Sequence, residues 1–148
     1  ITPAGAGRRR GGPPPPRRPE AAPTPPAGLS VCDLPGRGRG VVAARPFAAG
    51  ERIECAPVLV VPRADAALLQ GRLLDSYWFW WDGEHRALGL GCASLYNHGC
   101  PANARFDRDQ VARALVFTAV RDIAVGQEIT INYHGEPDDP SSVWFDQA

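Results

Sequence analysis

Asn97-His98-Gly99-Cys100-Pro101-Ala102-Asn103 and, further along, Gly126-Gln127-Glu128-Ile129-Thr130-Ile131-Asn132-Tyr133 are the two stretches on which the reading of this chain turns. Glycine and proline mark the first as a loop, in which an isolated Asn-His pair would ordinarily cap or close a turn. The second leaves a turn at Gly126 and reads as a strand over Glu128 to Tyr133. A third block lies upstream, Gly36-Arg37-Gly38-Arg39-Gly40-Val41-Val42-Ala43 followed by Ala49-Gly50-Glu51-Arg52-Ile53. Its glycines permit a close backbone approach to a ligand, and Gly-Arg-Gly-Arg-Gly reads equally as a flexible loop for phosphate or nucleic acid.

Around these blocks the chain from Val31 reads as short strands between turns. Gly40 to Arg45, Arg52 to Cys55 and Val58 to Val61 are rich in valine or isoleucine and bounded by glycine and proline, with Pro62 closing the set. Ala67, Leu68, Leu69, Leu73 and Leu74 fall at helical spacing, so one short helix is expected between Arg63 and Leu74, weakened by Gly71. Tyr77-Trp78-Phe79-Trp80-Trp81 fits a strand with alternating faces, and Asp82-Gly83 turns it into Ala87 to Leu90. Most of these aromatics suit the core; one face is free to line a channel for a cation. Val111 to Val120 and Glu128 to Tyr133 complete a mostly β domain.

With 148 residues the chain has room for one domain with a real core. It begins at Ile1 and contains no methionine, which reads as a fragment or a processed form. Residues 1–28 hold nine of the sixteen prolines, a composition that cannot bury enough surface to fold; a disordered tail is expected over 1–29 and a folded domain over 30–148. The tail lacks aromatic side chains for stacking on bases, so nucleic-acid contact would be weak and phosphate-directed. The net charge of zero conceals +4 in residues 1–30 and −4 in the remainder, and an acidic domain attracts a basic peptide. All 16 basic residues are arginine. No apolar run reaches the ~18 residues of a membrane span. Cys32, Cys55, Cys92 and Cys100 form no C-x-x-C pair and no secreted disulfide framework, so reduced thiols in an intracellular protein are expected. A ligand site from Cys92, Cys100, His98 and His134 is the less favoured alternative.

The three blocks, in this order, resemble those of the SET-domain protein-lysine methyltransferases. The first resembles the family's N-H-x-C-x-P-N signature with Pro101 one place early, the second its G-x-E-[IL]-x-x-x-Y block, and the third its opening G-x-G-[VL]-x-A…GE-x-I pattern. The resemblance implies a SET-like β-clip of several small sheets with one short helix and a C-terminal pseudoknot. It implies methyl transfer from S-adenosylmethionine to a lysine amine of a protein substrate, a histone or another basic protein, lying extended in an acidic groove. Tyr133 would place its hydroxyl at the reacting atoms, and Gly38, Arg39, Gly40, Asn97 and His98 would hold the donor. Tyr77, Ile131, Trp144 and Phe145 would line the substrate channel, while Asn103 would tie its loop to a neighbour. No metal is expected, since no cysteine follows Cys100 to build the family's zinc segment.

The chemistry sets two tasks for such a site. Donor and acceptor must be aligned, and a lysine of ordinary pKa about 10.4 must react as the neutral amine, which desolvation and a nearby sulfonium favour. A phenol suits this work because it is rigid, neutral near pH 7, and both donor and acceptor. The chain also departs from the family pattern. Gly99 replaces the usual serine, Ala102 the usual proline, and Ile131 stands where an aromatic residue often tunes product multiplicity. Cys55-Ala56 occupy the place of a second tyrosine, for which Tyr77 is a substitute. These departures motivate an alternative, a non-catalytic SET-like module that binds peptide or S-adenosylmethionine.

Overall fold

Arg52 to Pro62 forms one continuous strand rather than two, and the molecule is arranged around it. The computed structural model describes residues 25–143, so most of the expected tail, and Trp144 and Phe145, lie outside the described residues. Strand β1 (Leu29–Leu34) and β2 (Gly38–Ala43) make an antiparallel hairpin, and β3 (Arg52–Pro62) follows. β1 is additional to the expected strands: its alternation is masked by Ser30, Cys32 and Asp33, and pairing with β2 supplies what the pattern lacks.

After β3 come helix α1 (Arg63–Ala67), a 3-10 turn at Leu73–Tyr77, β4 (Trp78–Trp80) and β5 (His85–Gly89). A second 3-10 turn at Ala93–Leu95 leads to β6 (Asn97–His98), then β7 (Ala104–Asp109), β8 (Ala114–Ala119) and β9 (Thr130–Ile131). They form three sheets: β1-β2, a five-stranded sheet in the order β4-β5-β3-β8-β7, and the parallel pair β6-β9. Mostly β with one short helix is the expected class. Among the described residues, no helix is long and apolar enough to cross a membrane.

β3 changes partner along its length. Arg52 to Pro57 pairs with β8, and Val58 to Pro62 pairs with β5. Pro57, which has no N–H to donate, lies at the handover and therefore interrupts nothing. A β-bulge between Arg52 and Glu54 puts an extra residue into the strand, so that Ile53 and Glu54 both turn inward. Leu115 and Phe117 of β8 pack beneath with Tyr96, Ile129 and Ile131, all fully buried, each contributing about 1.5–3 kcal/mol of burial.

The expected helix is shorter than its leucine spacing suggested. α1 ends at Ala67 with only Ala66 buried, and Leu68 is 81% exposed. Val111 belongs to the turn before β8, which starts at Ala114, while the preceding β7 escaped notice because Arg105, Asp107, Arg108 and Asp109 give this edge strand a loop-like composition.

Candidate functional site

The 126–133 segment is laid beside the 97–103 loop. Leaving the turn at Gly126, the chain is stitched to β2 by Gln127 O accepting from Ala43 N–H (2.9 Å) and Val41 O accepting from Ile129 N–H (2.8 Å). β9 then runs parallel to β6, Thr130 opposite Asn97 and Ile131 opposite His98. Beyond β9 the chain returns across the 97–103 loop: Ala102 N–H donates to Pro137 O (2.9 Å), and the Cys100 thiol and Asn132 amide both donate to Asp139 O (3.2 and 2.8 Å). The loop is thus held by β9 on one side and by 137–139 on the other, the contact set of the C-terminal pseudoknot.

Asn103 ties this crossing together. Its Nδ2 donates to Glu128 O (2.8 Å), and its Oδ1 accepts from Thr130 N–H (2.9 Å). The Arg121 guanidinium adds a bond to Ala102 O at 2.7 Å. Asn97 Nδ2 donates to Glu128 Oε1 (2.9 Å) and to Arg39 O (3.3 Å), so Arg39 contributes its backbone here. Arg37 completes the cluster, pairing with Glu128 at 3.5 Å and donating to His98 O. Arg37 and Glu128 were missed from sequence. They lie inside two of the motif blocks, but their mutual contact depends on the hairpin folding over β6 and β9.

Tyr133 sits at the end of this arrangement. Its backbone N–H donates to His98 Nδ1 (3.2 Å), which leaves the proton of the neutral imidazole on Nε2. Its hydroxyl donates to Tyr96 O at 3.2 Å, and the Tyr133 and His98 rings lie 5.2 Å apart. The side chain is 42% exposed, with its hydroxyl end turned inward. Desolvation pushes the phenol above its ordinary pKa, opposed by a hydrogen bond from the His98 backbone and by the Arg37 charge. The hydroxyl therefore stays protonated at neutral pH.

These groups open onto a cleft of about 1770 Å³. Gly38, Arg39, Tyr77, Asn97, His98 and Tyr133 all border it. Gly38 adopts φ +71°, with open space where a Cβ would stand. Gly40 is placed differently: it is buried, and an added Cβ would meet Leu34 at 2.4 Å and the Asn97 amide at 2.7 Å. Its missing side chain serves packing between the hairpin and β6, not an approach to the cleft. Ile131 is 1% exposed and packs into the core, so its side chain does not border the cleft either.

The far wall is formed by the edge strands β4 and β7. Phe79 meets Phe106 edge-to-face at 5.2 Å, and the Arg108 guanidinium lies 4.3 Å over the Trp80 ring while donating to Trp81 O at 2.8 Å. The aromatic run is thus divided, Trp81 buried and Trp80 exposed at the wall. The cleft is not acidic: Arg37, Arg39, Arg105 and Arg108 face Asp75, Asp107 and Glu136 around its rim. Cys92 is buried and Cys100 exposed, and no group of three metal-holding side chains stands together among the described residues.

Guanidinium, imidazole, phenol and backbone groups line the cleft, with Tyr133, His98 and the Tyr96 carbonyl beside one another and the aromatic edge strands opposite. The volume exceeds the ~300–1,000 Å³ of a single small-ligand site.

A family model described as "SET domain" matches residues 38–134. The Schizosaccharomyces pombe protein named histone-lysine N-methyltransferase, H3 lysine-37 specific, is 29% identical over 106 residues, spanning 71% of this chain and 72% of its own length. A solved Plasmodium falciparum structure, of a protein named as a candidate histone methyltransferase, shares the fold with a TM-score of 0.60 at 23% identity, covering 71% of this chain and 96% of its own.

Proposed function

The chain belongs to the SET-domain family, and from that premise we propose that it transfers a methyl group from S-adenosylmethionine to a lysine amine of a protein substrate. The observation that carries the reading is the meeting of the Tyr133 hydroxyl with the Tyr96 carbonyl, 3.2 Å apart, beside Asn97 and His98 in one cleft. The donor, when bound, supplies an electrophilic sulfonium methyl. Asn97, His98 and the backbone at Gly38 and Arg39 would hold it, and Arg37 with Glu128 would fix Asn97.

Tyr133 acts on the acceptor. A neutral phenol whose proton is directed to a carbonyl presents its oxygen lone pairs to the incoming lysine nitrogen, orienting it without taking up charge. The partly apolar wall of Tyr77 and Phe79 disfavours the ammonium form by desolvation and so supports the neutral amine. A histone is the substrate class suggested by the named relative. The mixed charge at the rim supports recognition by shape and main-chain pairing as much as by charge.

The test is incubation with isotopically labelled donor and lysine-containing proteins, followed by mass spectrometry. Label on lysine is expected with the parent, and Tyr133→Phe should lower kcat about a hundredfold, the loss typical of removing one transition-state hydrogen-bonding group. No label with the parent, or equal labelling by both, would sink the reading. Donor binding without turnover would favour the alternative, a module that binds but does not react. Cys55 and Ala56, at the place of the family's second tyrosine, are the residues that favour it, and neither borders the cleft.

A further inference from the structure

Glu54 is a carboxylate, 5% exposed, in a strand whose other inward residues are apolar. The β-bulge at Arg52–Glu54 turns it inside. Its Oε1 accepts from Cys92 N–H at 3.0 Å and its Oε2 from the Tyr96 hydroxyl at 2.7 Å. Gly91, at φ +62°, makes the seat: an added Cβ would stand 2.5 Å from Glu54 Oε1. The carboxylate therefore grips both ends of the turn 92–96, the first through its backbone and the last through its side chain.

That turn delivers the chain to the proposed site. Tyr96 is buried and stacked on Phe117 at 4.5 Å. Its carbonyl receives the Tyr133 hydroxyl, and the next two residues are Asn97 and His98. A tyrosine ring that only filled the core would not need a hydroxyl, and a buried carboxylate is costly unless hydrogen-bonded. Here each answers the other.

We propose that Glu54 and Tyr96 are positioning residues, a buried brace that sets the Tyr96 carbonyl and through it the direction of the Tyr133 hydroxyl. The proposal rests on the methyl-transfer reading for its consequence in catalysis, but not for its structural content. Tyr96→Phe removes only the hydroxyl, and Glu54→Gln keeps the shape but has one acceptor oxygen where the parent uses two, the other place being taken by an NH2 donor. In either variant the turn is held at fewer points, its carbonyl shifts, and Tyr133 exchanges a fixed acceptor for water.

The experiment follows the tyrosine ring carbons by NMR with 13Cζ-tyrosine, the Tyr133 signal being assigned by its loss in Tyr133→Phe. In the parent, Tyr133 should titrate above the ordinary phenol value of about 10; in Tyr96→Phe and Glu54→Gln it should move back toward that value. Burial is the first cause of that rise, so the variants act by loosening the seat of the phenol; His98, Arg37, Tyr77 and Glu128 also act on it and are unchanged in both. With substrate, kcat should fall about tenfold or more while the donor KM holds, because small misplacements at the reacting atoms act on the chemical step. If Tyr96→Phe does not fold, the double variant Glu54→Gln/Tyr96→Phe, which leaves no buried charge unpaired, takes its place. A lowered melting temperature with an unmoved Tyr133 titration would show a brace that serves the fold alone, and would overturn the proposal. Absence of methyl transfer in the parent would overturn the enzyme reading only, and the titration would still decide the brace.

Discussion

Gly99 and Thr130 show how a departure from a pattern is resolved at the scale of one residue. A Cβ on Gly99 would stand 2.6 Å from Thr130 Oγ1 and 2.8 Å from Thr130 Cβ, so the space for a serine side chain is already filled from β9. Read along the sequence, Gly99 is a missing serine; in the fold its absent side chain makes room for Thr130, which lies in a different motif block. Asn103, by contrast, was legible, because its bonds to Glu128 and Thr130 follow from the loop that the motif describes. Ile131 was not, since its core-facing orientation is set by the register of β6 against β9. Restoring the usual serine should therefore harm this chain. Gly99→Ser is expected to cost about 1–3 kcal/mol by overpacking, with much of the loss recovered in Gly99→Ser/Thr130→Ala. Thermal melting of the two single variants and the double decides this; a Gly99→Ser protein as stable as its parent would refute the crowding.

At the scale of elements, three misreadings have separate physical causes. β3 was divided at Pro57 because proline breaks a ladder, yet the strand exchanges β8 for β5 at that residue and needs no donor there. β7 has no strand signature because it is an edge, charged at four of its six positions, and edges are protected from aggregation by that polarity. The helix is shorter than expected because leucines at helical spacing imply a buried stripe, and among the described residues no partner element covers it. The strands β2, β5 and β8 were legible, each rich in inward-facing apolar residues. The contrast between exposed and buried leucines is measurable. Leu68→Gln, at a residue 81% exposed, should change stability by less than about 0.5 kcal/mol. Leu115→Ala, at a residue with no exposure, should cost about 2–5 kcal/mol. Chemical denaturation of both would check it, and a large loss from Leu68→Gln would mean that the leucine stripe is covered after all.

At the scale of the whole molecule, the motif order was a better guide than bulk charge. The three blocks predicted which segments meet; the −4 balance beyond the tail predicted an acidic groove, and the cleft rim is mixed, because net charge carries no address. What individual titrations do to the folded state as a whole has a definite sign on each side of neutrality. Glu51, Asp82 and Asp139 have pKa values lowered in the fold, Glu51 and Asp82 by backbone N–H donors first, with Arg45 and His85 adding to them, and Asp139 by the Ser141 side chain first. Their stabilisation is present above the unfolded carboxylate values, about 4, and is lost as pH falls below them. Burial acts in the opposite direction on Cys92, pushed up to about 11, and on Tyr96 and Tyr133, also raised, with the Glu54 charge adding to burial for Cys92 and Tyr96. For these groups the unfolded chain releases protons first, so stability is present below the unfolded values and falls as pH rises through the range above about 8.5 for the thiol and about 10 for the phenols. Melting temperature measured from pH 3 to 11 should therefore be flat near neutrality and fall on both sides, and Cys92→Ala should remove the part of the alkaline fall that begins first. A melting temperature that holds to pH 11 would mean that these groups ionise in the fold as readily as in water, and that the buried layer around Glu54 is open to solvent.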